Sequence, residues 1–295
     1  MAEPLFRRLA LIGIGLIGGS VARAAQARGD LAAETVLYAA TARTRDRARA
    51  LGLGDRVVDT LAEAVAGADG VMLCAPVGAY AEIAEAIAPH LAPGAILTDV
   101  GSTKQSVIRD VAPLVPAGVH FVPAHPLAGT EYSGPDSGFA TLFEGRWCLV
   151  TPLPGAAEGA IRRVETLWQR MGSRTARMDP AHHDRVVAIV SHLPHLIAFT
   201  ICGTADSLED ETHEEVLQFA AAGFRDFTRI AASDPVMWRD IFLNNREALL
   251  EMLARFTEDA QSMARAVRWG DAAYIEDRIE RGRKVRRSLI ERNQA

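Results

Sequence analysis

The chain has 295 residues, more than one hydrophobic core usually spans, so we expect two domains. Apolar residues make up 49% of the chain and charged residues 23%, which excludes a disordered polypeptide and is typical of a globular one. The net charge of −5 argues against a nucleic-acid-binding protein, and no stretch approaches the 18 uncharged apolar residues of a membrane span. We therefore expect neither a nucleic acid nor a membrane as a partner.

The first 178 residues alternate short apolar runs with helical stretches. Helical segments rich in Ala and Arg occupy Thr44–Leu51, Thr60–Ala66 and Ala79–Leu91. Six apolar runs predict strands: Leu9–Ile14, Val36–Tyr38, Gly70–Cys74, Ala95–Val100, Val119–Val122 and Cys148–Thr151. Several of these runs are continuously apolar, as in parallel strands that are covered by helices on both faces. The alternation predicts an α/β fold, a doubly wound parallel sheet of the Rossmann type, in residues 1–178.

From Asp179 onward the strand signal disappears, which predicts an all-helical second domain in residues 179–295. Asp179 and Pro180 have the character of an N-cap and a first-turn proline. Apolar residues at helical spacing predict helices over Pro180–Leu208, Glu214–Ala221 and Pro235–Arg268, with a last helix from about Asp271. A single helix of more than 30 residues would bury part of its apolar face against another subunit, so we expect a homodimer.

A glycine-rich turn follows the first predicted strand and opens a predicted helix that runs to about Arg28. Its sequence, Gly13-Ile14-Gly15-Leu16-Ile17-Gly18, matches the GxGxxG fingerprint of dinucleotide-binding domains in the expected strand–turn–helix context. Gly13 permits the tight turn, Gly15 lets a pyrophosphate approach the backbone, and Gly18 lets the helix pack on the strand. The N–H groups that open the helix, those of Leu16 and Ile17, would face the phosphates. The turn predicts a nicotinamide dinucleotide site.

The end of the second predicted strand departs from the usual pattern of such sites. An acidic residue about 20 positions after the fingerprint normally binds the adenosine ribose, but this strand ends Tyr38-Ala39-Ala40-Thr41-Ala42-Arg43. Without a carboxylate, nothing there would repel a 2′-phosphate, and Thr41 and Arg43 are close by. Both NAD and NADP therefore stay open as the cofactor. Arg43 could equally begin a solvated helix face.

Further polar segments come after the strand ends and in the helical domain. They are Asp99-Val100-Gly101-Ser102-Thr103-Lys104, His125-Pro126-Leu127-Ala128-Gly129-Thr130-Glu131, Ser191-His192-Leu193-Pro194-His195, Gly223-Phe224-Arg225-Asp226-Phe227-Thr228-Arg229 and Ser233-Asp234-Pro235-Val236-Met237-Trp238-Arg239-Asp240. With these motifs in this order, the chain resembles the prephenate/arogenate (cyclohexadienyl) dehydrogenases over nearly its whole length. The resemblance implies oxidative decarboxylation of prephenate or arogenate with hydride transfer to NAD or NADP, on the route to tyrosine.

The same resemblance implies roles for particular residues. His125 would be the catalytic base, since a neutral imidazole can take the proton of the ring hydroxyl as the carbonyl forms. Ser102 would orient that hydroxyl or the imidazole. Five further residues would bind substrate or shape its pocket: Ser191 and His195 would meet the substrate's side chain and Trp238 would line the pocket, while Thr130 and Glu131 would shape and gate it. Arg229 would pair with a substrate carboxylate.

Other interpretations remain open at this point. A hydroxyacid dehydrogenase with the same two domains would typically use a lysine of the helical domain, where Lys284 is the only one. A dinucleotide-sensing protein without catalysis would not need His125 or Ser102, and both are present. The histidine spacing matches no usual metal site, so we expect no metal. The widely spaced cysteines Cys74, Cys148 and Cys202 predict buried thiols in a reducing cytoplasm.

Overall fold

The computed structural model describes residues 3–208, 215–216 and 218–292. Six parallel strands form the main sheet in the order β3-β2-β1-β4-β5-β6, the doubly wound arrangement that the sequence predicts. Their bounds are β1 Phe6–Ile12, β2 Ala32–Tyr38, β3 Arg56–Val57, β4 Gly70–Leu73, β5 Ile96–Asp99 and β6 His120–Val122. The fold class is thus confirmed, and the two-residue strand β3 is one that the apolar pattern misses.

Helices cover both faces of this sheet, and they are α1 Leu16–Arg28, α2 Ala42–Ala50, α3 Leu61–Val65, α4 Tyr80–Ile87, α5 Gln105–Val111 and α6 Glu158–Arg170. Side chains of β1 alternate between two separate cores. Leu9 and Leu11 pack with Trp168 on one face, whereas Ala10 and Ile12 pack with Tyr80 on the other. Burial on both faces explains why the strands read as continuous apolar runs.

A second, three-stranded sheet continues from the end of β6. It contains β7 Ala124–Pro126, β8 Trp147–Val150 and β9 Arg174–Arg177; β7 and β8 are antiparallel, and β8 and β9 are parallel. Strands β7 and β9 are not predicted from the sequence. His125, expected in a loop after a strand, lies within β7 and is paired in register with Leu149. This pairing fixes the backbone of His125 more firmly than a loop would.

After β9 the described elements are helical. They are α7 Pro180–Val187, a π-helical turn Ala188–His192, α8 Leu193–Asp206, α9 Ala222–Thr228, a 3₁₀ turn Arg229–Ala232, α10 Pro235–Asn244, α11 Arg246–Trp269 and α12 Ala272–Glu291. Asp179 caps α7 by accepting a hydrogen bond from the His182 N–H at 2.9 Å, as its sequence context predicts. The helix predicted over Glu214–Ala221 falls partly outside the described residues.

The prediction of one continuous helix over Pro235–Arg268 is wrong. The chain leaves helical geometry at Asn245, where φ is −115° and ψ is 33°, so α10 and α11 are separate helices. The Asn245 side chain is buried and donates to the Asp184 carbonyl at 2.8 Å. The break therefore coincides with a tertiary hydrogen bond that the helical periodicity could not reveal.

The described chain divides into two compact units, Met1–Arg246 and Glu247–Ala295. The second unit consists mainly of α11 and α12, which an ion pair joins at 2.7 Å between Arg278 and Asp259. This division differs from the predicted boundary between residues 178 and 179, which stays a prediction.

By length and composition, the helical run Pro180–Asp206 could cross a membrane, although no uninterrupted apolar stretch in the sequence indicated it. Within the first unit, however, this run carries three buried polar side chains, those of His183, Asp184 and His192. These buried polar groups have hydrogen-bond partners inside the protein, which a bilayer would not supply.

Candidate active site

The glycine-rich turn has the shape that a dinucleotide site requires. Gly13 has a φ of +111°, and a Cβ there would lie 2.6 Å from the Cys74 backbone, so no other residue fits. A Cβ on Gly18 would collide with the Gly13 carbonyl oxygen. Beside Gly15, the N-cap of α1, a Cβ would meet nothing within 4 Å, which leaves open space at the start of the helix. The turn and the first N–H groups of α1, at Leu16 and Ile17, fit the pyrophosphate of a nicotinamide dinucleotide.

The short loop after β2 leads into the first turns of α2, which carry three arginines in different situations. Arg45 donates to Asp59 at 2.9 Å and to the Ala39 carbonyl at 2.8 Å, and Arg47 pairs with Asp136. Arg43 is exposed and has no hydrogen bond or ion pair with another described residue. Thr41 caps α2 by accepting from the Thr44 N–H at 3.2 Å. Of these three arginines, Arg43 is therefore the one that is available to a ligand.

A cleft of about 820 Å³ opens beside this loop. Its lining includes Thr41, Arg43, Arg47, Gly134 and Asp136, so the start of α2 faces the segment that carries the 3₁₀ turn Pro135–Ser137. No acidic residue at the end of β2 faces this cleft, in agreement with the sequence; the carboxylates of Asp46 in α2 and of Asp136, which is paired with Arg47, do line it.

Lys104 and Asp99 form a fully buried ion pair at the carboxyl end of β5. The Lys104 Nζ lies 2.5 Å from the Asp99 Oδ2 and also donates to the Ala124 carbonyl at 2.7 Å. Asp99 in turn accepts from the N–H groups of Gly101 at 2.7 Å and Ala124 at 3.1 Å. Burial raises the pKa of Asp99 and lowers that of Lys104, and the attraction between the two charges opposes both shifts. The pair anchors β7 beside β5, next to His125.

His125 is 8% exposed and makes its side-chain hydrogen bond to a second histidine. Its Nδ1 lies 2.9 Å from the Nε2 of His183, and the rings meet edge to face with centroids 5.1 Å apart. The Nδ1 of His183 lies 2.8 Å from the Oδ1 of Asp184. Burial lowers the pKa of His125 well below its usual range, and the neighbouring His183, Lys104 and His192 lower it further. His125 is therefore neutral at physiological pH.

The other predicted catalytic residue, Ser102, lies in the turn between β5 and α5. It is half-buried, and its hydroxyl has no hydrogen bond with another residue of the described ranges, including His125. The role of Ser102 in orienting the hydroxyl or the imidazole therefore stays a prediction.

An aromatic cluster occupies the helical side of this region. Trp238 is 6% exposed and stacks on His195 with ring centroids 3.7 Å apart. The Nδ1 of His195 donates to the Ser191 carbonyl at 2.8 Å, which leaves Nε2 as the other polar atom of the neutral ring. Burial lowers the pKa of His195, and nearby Arg229 adds to the shift. The structure thus brings together His195, Ser191 and Trp238, which the sequence places in two separate motifs.

Arg229 is paired across the site with Glu131. Its Nη1 lies 3.2 Å from the Glu131 Oε2, and the arginine side chain remains 59% exposed. Thr130, next to Glu131, is exposed and accepts from the Tyr132 N–H at 3.3 Å. A guanidinium held by an exposed pair can exchange its carboxylate partner at little cost.

Among the described residues, no group of three or more His, Cys, Asp or Glu has the arrangement of a metal site. The residues that sequence reasoning missed are His183 and Asp184, since His183 was considered only as part of a metal site. The signal for them was a His-Asp pair in the first turn of a capped helix, but its partner His125 lies 58 positions away.

Two family models match the chain. Prephenate dehydrogenase, nucleotide-binding domain, matches residues 21–177, and prephenate dehydrogenase, dimerization domain, matches residues 179–280. The chain belongs to the prephenate dehydrogenase family. Enzymes of this family catalyse an NAD-dependent oxidative decarboxylation in tyrosine biosynthesis, so the chain is an NAD-dependent oxidoreductase.

Individual relatives agree with this assignment. Cyclohexadienyl dehydrogenase of Zymomonas mobilis is 41% identical over 286 residues, which cover 97% of each chain. Prephenate dehydrogenase of Bacillus subtilis is 31% identical over 89% of this chain and 70% of its own length. The crystal structure of prephenate dehydrogenase from Aquifex aeolicus in complex with hydroxyphenyl propionate and NAD+ has a TM-score of 0.86 at 31% identity, covering 96% of this chain and 98% of that one.

A hydroxyacid dehydrogenase shares only the fold. The 3-hydroxyisobutyrate dehydrogenase of Mycobacterium tuberculosis has a TM-score of 0.54 at 15% identity, covering 88% of this chain and 95% of that one. Of the two lysines, Lys104 is locked in a buried ion pair and Lys284 is exposed on α12, in the second unit. The family assignment thus excludes the hydroxyacid interpretation and that of a sensor without catalysis.

Proposed function

We propose that this chain oxidatively decarboxylates prephenate, arogenate or both, giving 4-hydroxyphenylpyruvate or tyrosine. The observation that carries the proposal is the state of His125 at the carboxyl edge of the sheet. Its ring is buried and neutral, and its Nε2 has no hydrogen-bond partner among the described residues. A neutral imidazole nitrogen free to accept a proton is what removal of a hydroxyl proton requires.

In the proposed reaction, the His125 Nε2 takes the proton of the ring hydroxyl. The electron pair of that O–H bond would form the carbonyl as the C–H bond on the same carbon breaks, and a nicotinamide dinucleotide held at the Gly13–Gly18 turn would supply the hydride acceptor. The ring carboxylate would then leave as CO₂, its bonding electrons would make the ring aromatic, and the former carbonyl oxygen would take the proton back from His125 to become the phenol hydroxyl. Ser102, at the same end of β5, would orient the hydroxyl.

The helical side of the site would hold the substrate's side chain. The Nε2 of His195 and the hydroxyl of Ser191 are the polar groups there, and burial of the His195 ring favours hydrogen bonding by a neutral imidazole. Trp238, stacked on His195, would form the apolar wall of the pocket. Because a keto and an amino group both hydrogen-bond, these residues are compatible with prephenate and with arogenate.

Arg229 would bind a substrate carboxylate. In the ligand-free chain its guanidinium is paired with Glu131, so a substrate must displace that side chain. Glu131 and the exposed Thr130 would then shape the entrance of the pocket, with the Glu131–Arg229 pair open or closed according to whether substrate is bound.

The Gly13–Gly18 turn would hold the pyrophosphate of the cofactor, and we extend the proposal to NADP. No carboxylate at the end of β2 would repel a 2′-phosphate, and exposed Arg43 and the Thr41 hydroxyl lie beside the cleft where that group would sit. Thr41 already accepts a hydrogen bond from α2, which leaves Arg43 as the main candidate contact.

The functional molecule would be a homodimer in the cytoplasm that takes small molecules as substrates. Residues 179–280 match a dimerization domain, and several large apolar side chains in this range are exposed, among them Ile189, Val190, Leu250 and Val267. An interface between two copies of the chain would cover such side chains.

Initial rates measured with prephenate and with arogenate, each with NAD and with NADP, test this proposal. We expect NADH to form with at least one substrate, and measurable kcat/KM with NADP as well. Absence of turnover in all four combinations would contradict the proposed reaction. Strict use of NAD would contradict only its extension to NADP, and the Arg43→Ala variant would then match the wild type.

A further inference from the structure

The buried His183–Asp184 pair has no part in the reaction as proposed above, yet it touches the base. His183 is fully buried, Asp184 is 1% exposed on its side chain, and both lie in the first turns of α7. A buried carboxylate that only stabilised the helix would gain little, since removing its charge from water is costly. Its contact with His125 therefore calls for a functional explanation.

Asp184 is held as an ionised acceptor. Its Oδ1 accepts from the Lys104 N–H at 2.7 Å, and its Oδ2 accepts from the Gln105 N–H at 2.9 Å. Although burial raises the pKa of Asp184, hydrogen bonds from His183 and these two N–H groups outweigh it and leave the pKa below its usual range. The carboxylate can only accept hydrogen bonds, so the Nδ1 of His183 must carry the proton between them.

This assignment fixes the protons along the rest of the chain of hydrogen bonds. A neutral His183 that is protonated on Nδ1 has a lone pair on Nε2, and that atom lies 2.9 Å from the His125 Nδ1. The His125 Nδ1 must therefore donate, which leaves the lone pair of His125 on Nε2, the nitrogen without a partner. The geometry selects one of the two neutral forms of the His125 ring.

We propose that His183 and Asp184 are positioning residues that hold His125 in its Nε2-accepting form and stabilise the imidazolium formed during the reaction. The proposal rests on the proposed role of His125 as the base. When the His125 Nε2 takes the hydroxyl proton, the ring becomes positive and its Nδ1–H donates more strongly to His183. Asp184, on the far side of His183, supplies the compensating negative charge.

The charged groups around His125 explain why such support is needed. Lys104, from the turn before α5, is the nearby cation and disfavours a positive charge on the ring, and His183 and His192 do so when they are themselves protonated. Asp184 and Asp99 are the nearby anions, and Asp99 is already matched by Lys104. The carboxylate of Asp184 is thus the group that can favour protonated His125 through His183.

His183→Leu tests the proposal directly. We expect kcat to fall by about 10²-fold or more, with KM for prephenate and for NAD changed by less than about threefold. Without an acceptor for the Nδ1–H, the imidazolium is less stable, so the acid limb of kcat/KM should move to lower pH. A residue that only packs the helix would lower stability without moving this limb.

His183→Gln and Asp184→Asn keep the experiment decisive if the leucine variant does not fold. The glutamine Oε1 can still accept from His125, so we expect a kcat between those of the wild type and the leucine variant, with the acid limb again lowered. His182→Leu is the matched control, because His182 is the exposed neighbour on the same turn, and it should behave as wild type.

Two results would overturn the inference in different ways. If folded His183→Gln and Asp184→Asn keep wild-type kcat and an unshifted acid limb, His183 and Asp184 are not positioning residues. If His125→Asn itself retains more than about a tenth of wild-type kcat, the proposed role of His125 fails first, and the positioning role fails with it.

Discussion

Burial distinguishes the two cationic side chains near the proposed site. Lys104 is fully enclosed and bound to Asp99, so it cannot move to meet a ligand. Arg229 is mostly exposed, and its Glu131 partner is the kind of group that a substrate carboxylate can replace. Of these two cations, Arg229 is therefore the one suited to recognising the substrate.

We predict that Arg229→Ala raises KM for prephenate by about 30-fold or more, while kcat changes far less. Losing a charge-assisted pair to a desolvated carboxylate costs about 2 kcal/mol or more, which corresponds to that factor. Steady-state kinetics with prephenate and NAD varied in turn measure it. KM for NAD should hardly change, since Arg229 lies far from the Gly13–Gly18 turn in sequence.

Arg239→Ala is the matched control for this prediction. Arg239 is 61% exposed and pairs with its neighbour Asp240, so its removal should leave KM for prephenate near the wild-type value. A KM for prephenate within about twofold of wild type in Arg229→Ala, or a raised KM for NAD, would show that the carboxylate binds elsewhere. Arg225 would then be the next candidate.

At the scale of single residues, the sequence predicted those that belong to recognisable motifs. The structure brings His195 against Trp238 and Arg229 against Glu131 across sequence separations that no motif spans. The sequence alone could not predict His183 and Asp184 as functional, because their proposed role depends on a hydrogen bond to His125, which lies in another element. A His-Asp pair in a helix has many structural uses, and only three-dimensional contact distinguishes among them.

At the scale of elements, Asn245 both ends α10 and ties it to the segment that carries His183. Its Nδ2 donates to the Asp184 carbonyl at 2.8 Å and lies 3.0 Å from the Nδ1 of His192. His192 is buried, and burial lowers its pKa to about 4. Its Nδ1 can therefore accept from the amide at neutral pH.

We predict that Asn245→Ala lowers the free energy of unfolding by about 1–3 kcal/mol, because the Asp184 carbonyl and the His192 ring lose a donor inside the protein. Urea denaturation at fixed protein concentration and neutral pH measures the change. Asn244→Ala is the control: among the described residues, the half-buried Asn244 side chain donates to the Asp240 carbonyl of its own helix alone, at 2.9 Å. Equal effects of the two substitutions would mean that Asn245 does not link the helices.

The elements that the sequence missed share a physical reason. Strands β3, β7 and β9 have two to four residues each, and β9 is mostly polar, so none has enough apolar residues to show a period. Long buried strands and capped helices, such as β1 and α7, were predicted because neighbouring residues show them: a continuous apolar run for β1, and an N-cap followed by a proline for α7. The break at Asn245 was not, since its cause is a contact with a distant segment.

At the scale of the whole molecule, assembly is the main open property. Large apolar side chains are exposed in both compact units, including Ile201 in the first and Val267 and Ile279 in the second. We predict a dimer that persists at micromolar concentration, measured by sedimentation velocity at several dilutions. Its thermal midpoint should rise with protein concentration, as expected when folding and association are coupled. A stable, active monomer at micromolar concentration would refute this.

The burial of Lys104 also determines which lysine side chains of the native protein can react with amine-directed reagents. Only two lysines occur in 295 residues; Lys104 is wholly enclosed, and Lys284 lies exposed on α12. An acylating dye, a cross-linker or a lysine-specific protease therefore finds one lysine side chain in the native protein and two once the sheet opens. Labelling at Lys104 would report opening around β5 and β7, and Lys284 would give a single attachment point remote in sequence from every residue proposed for the site.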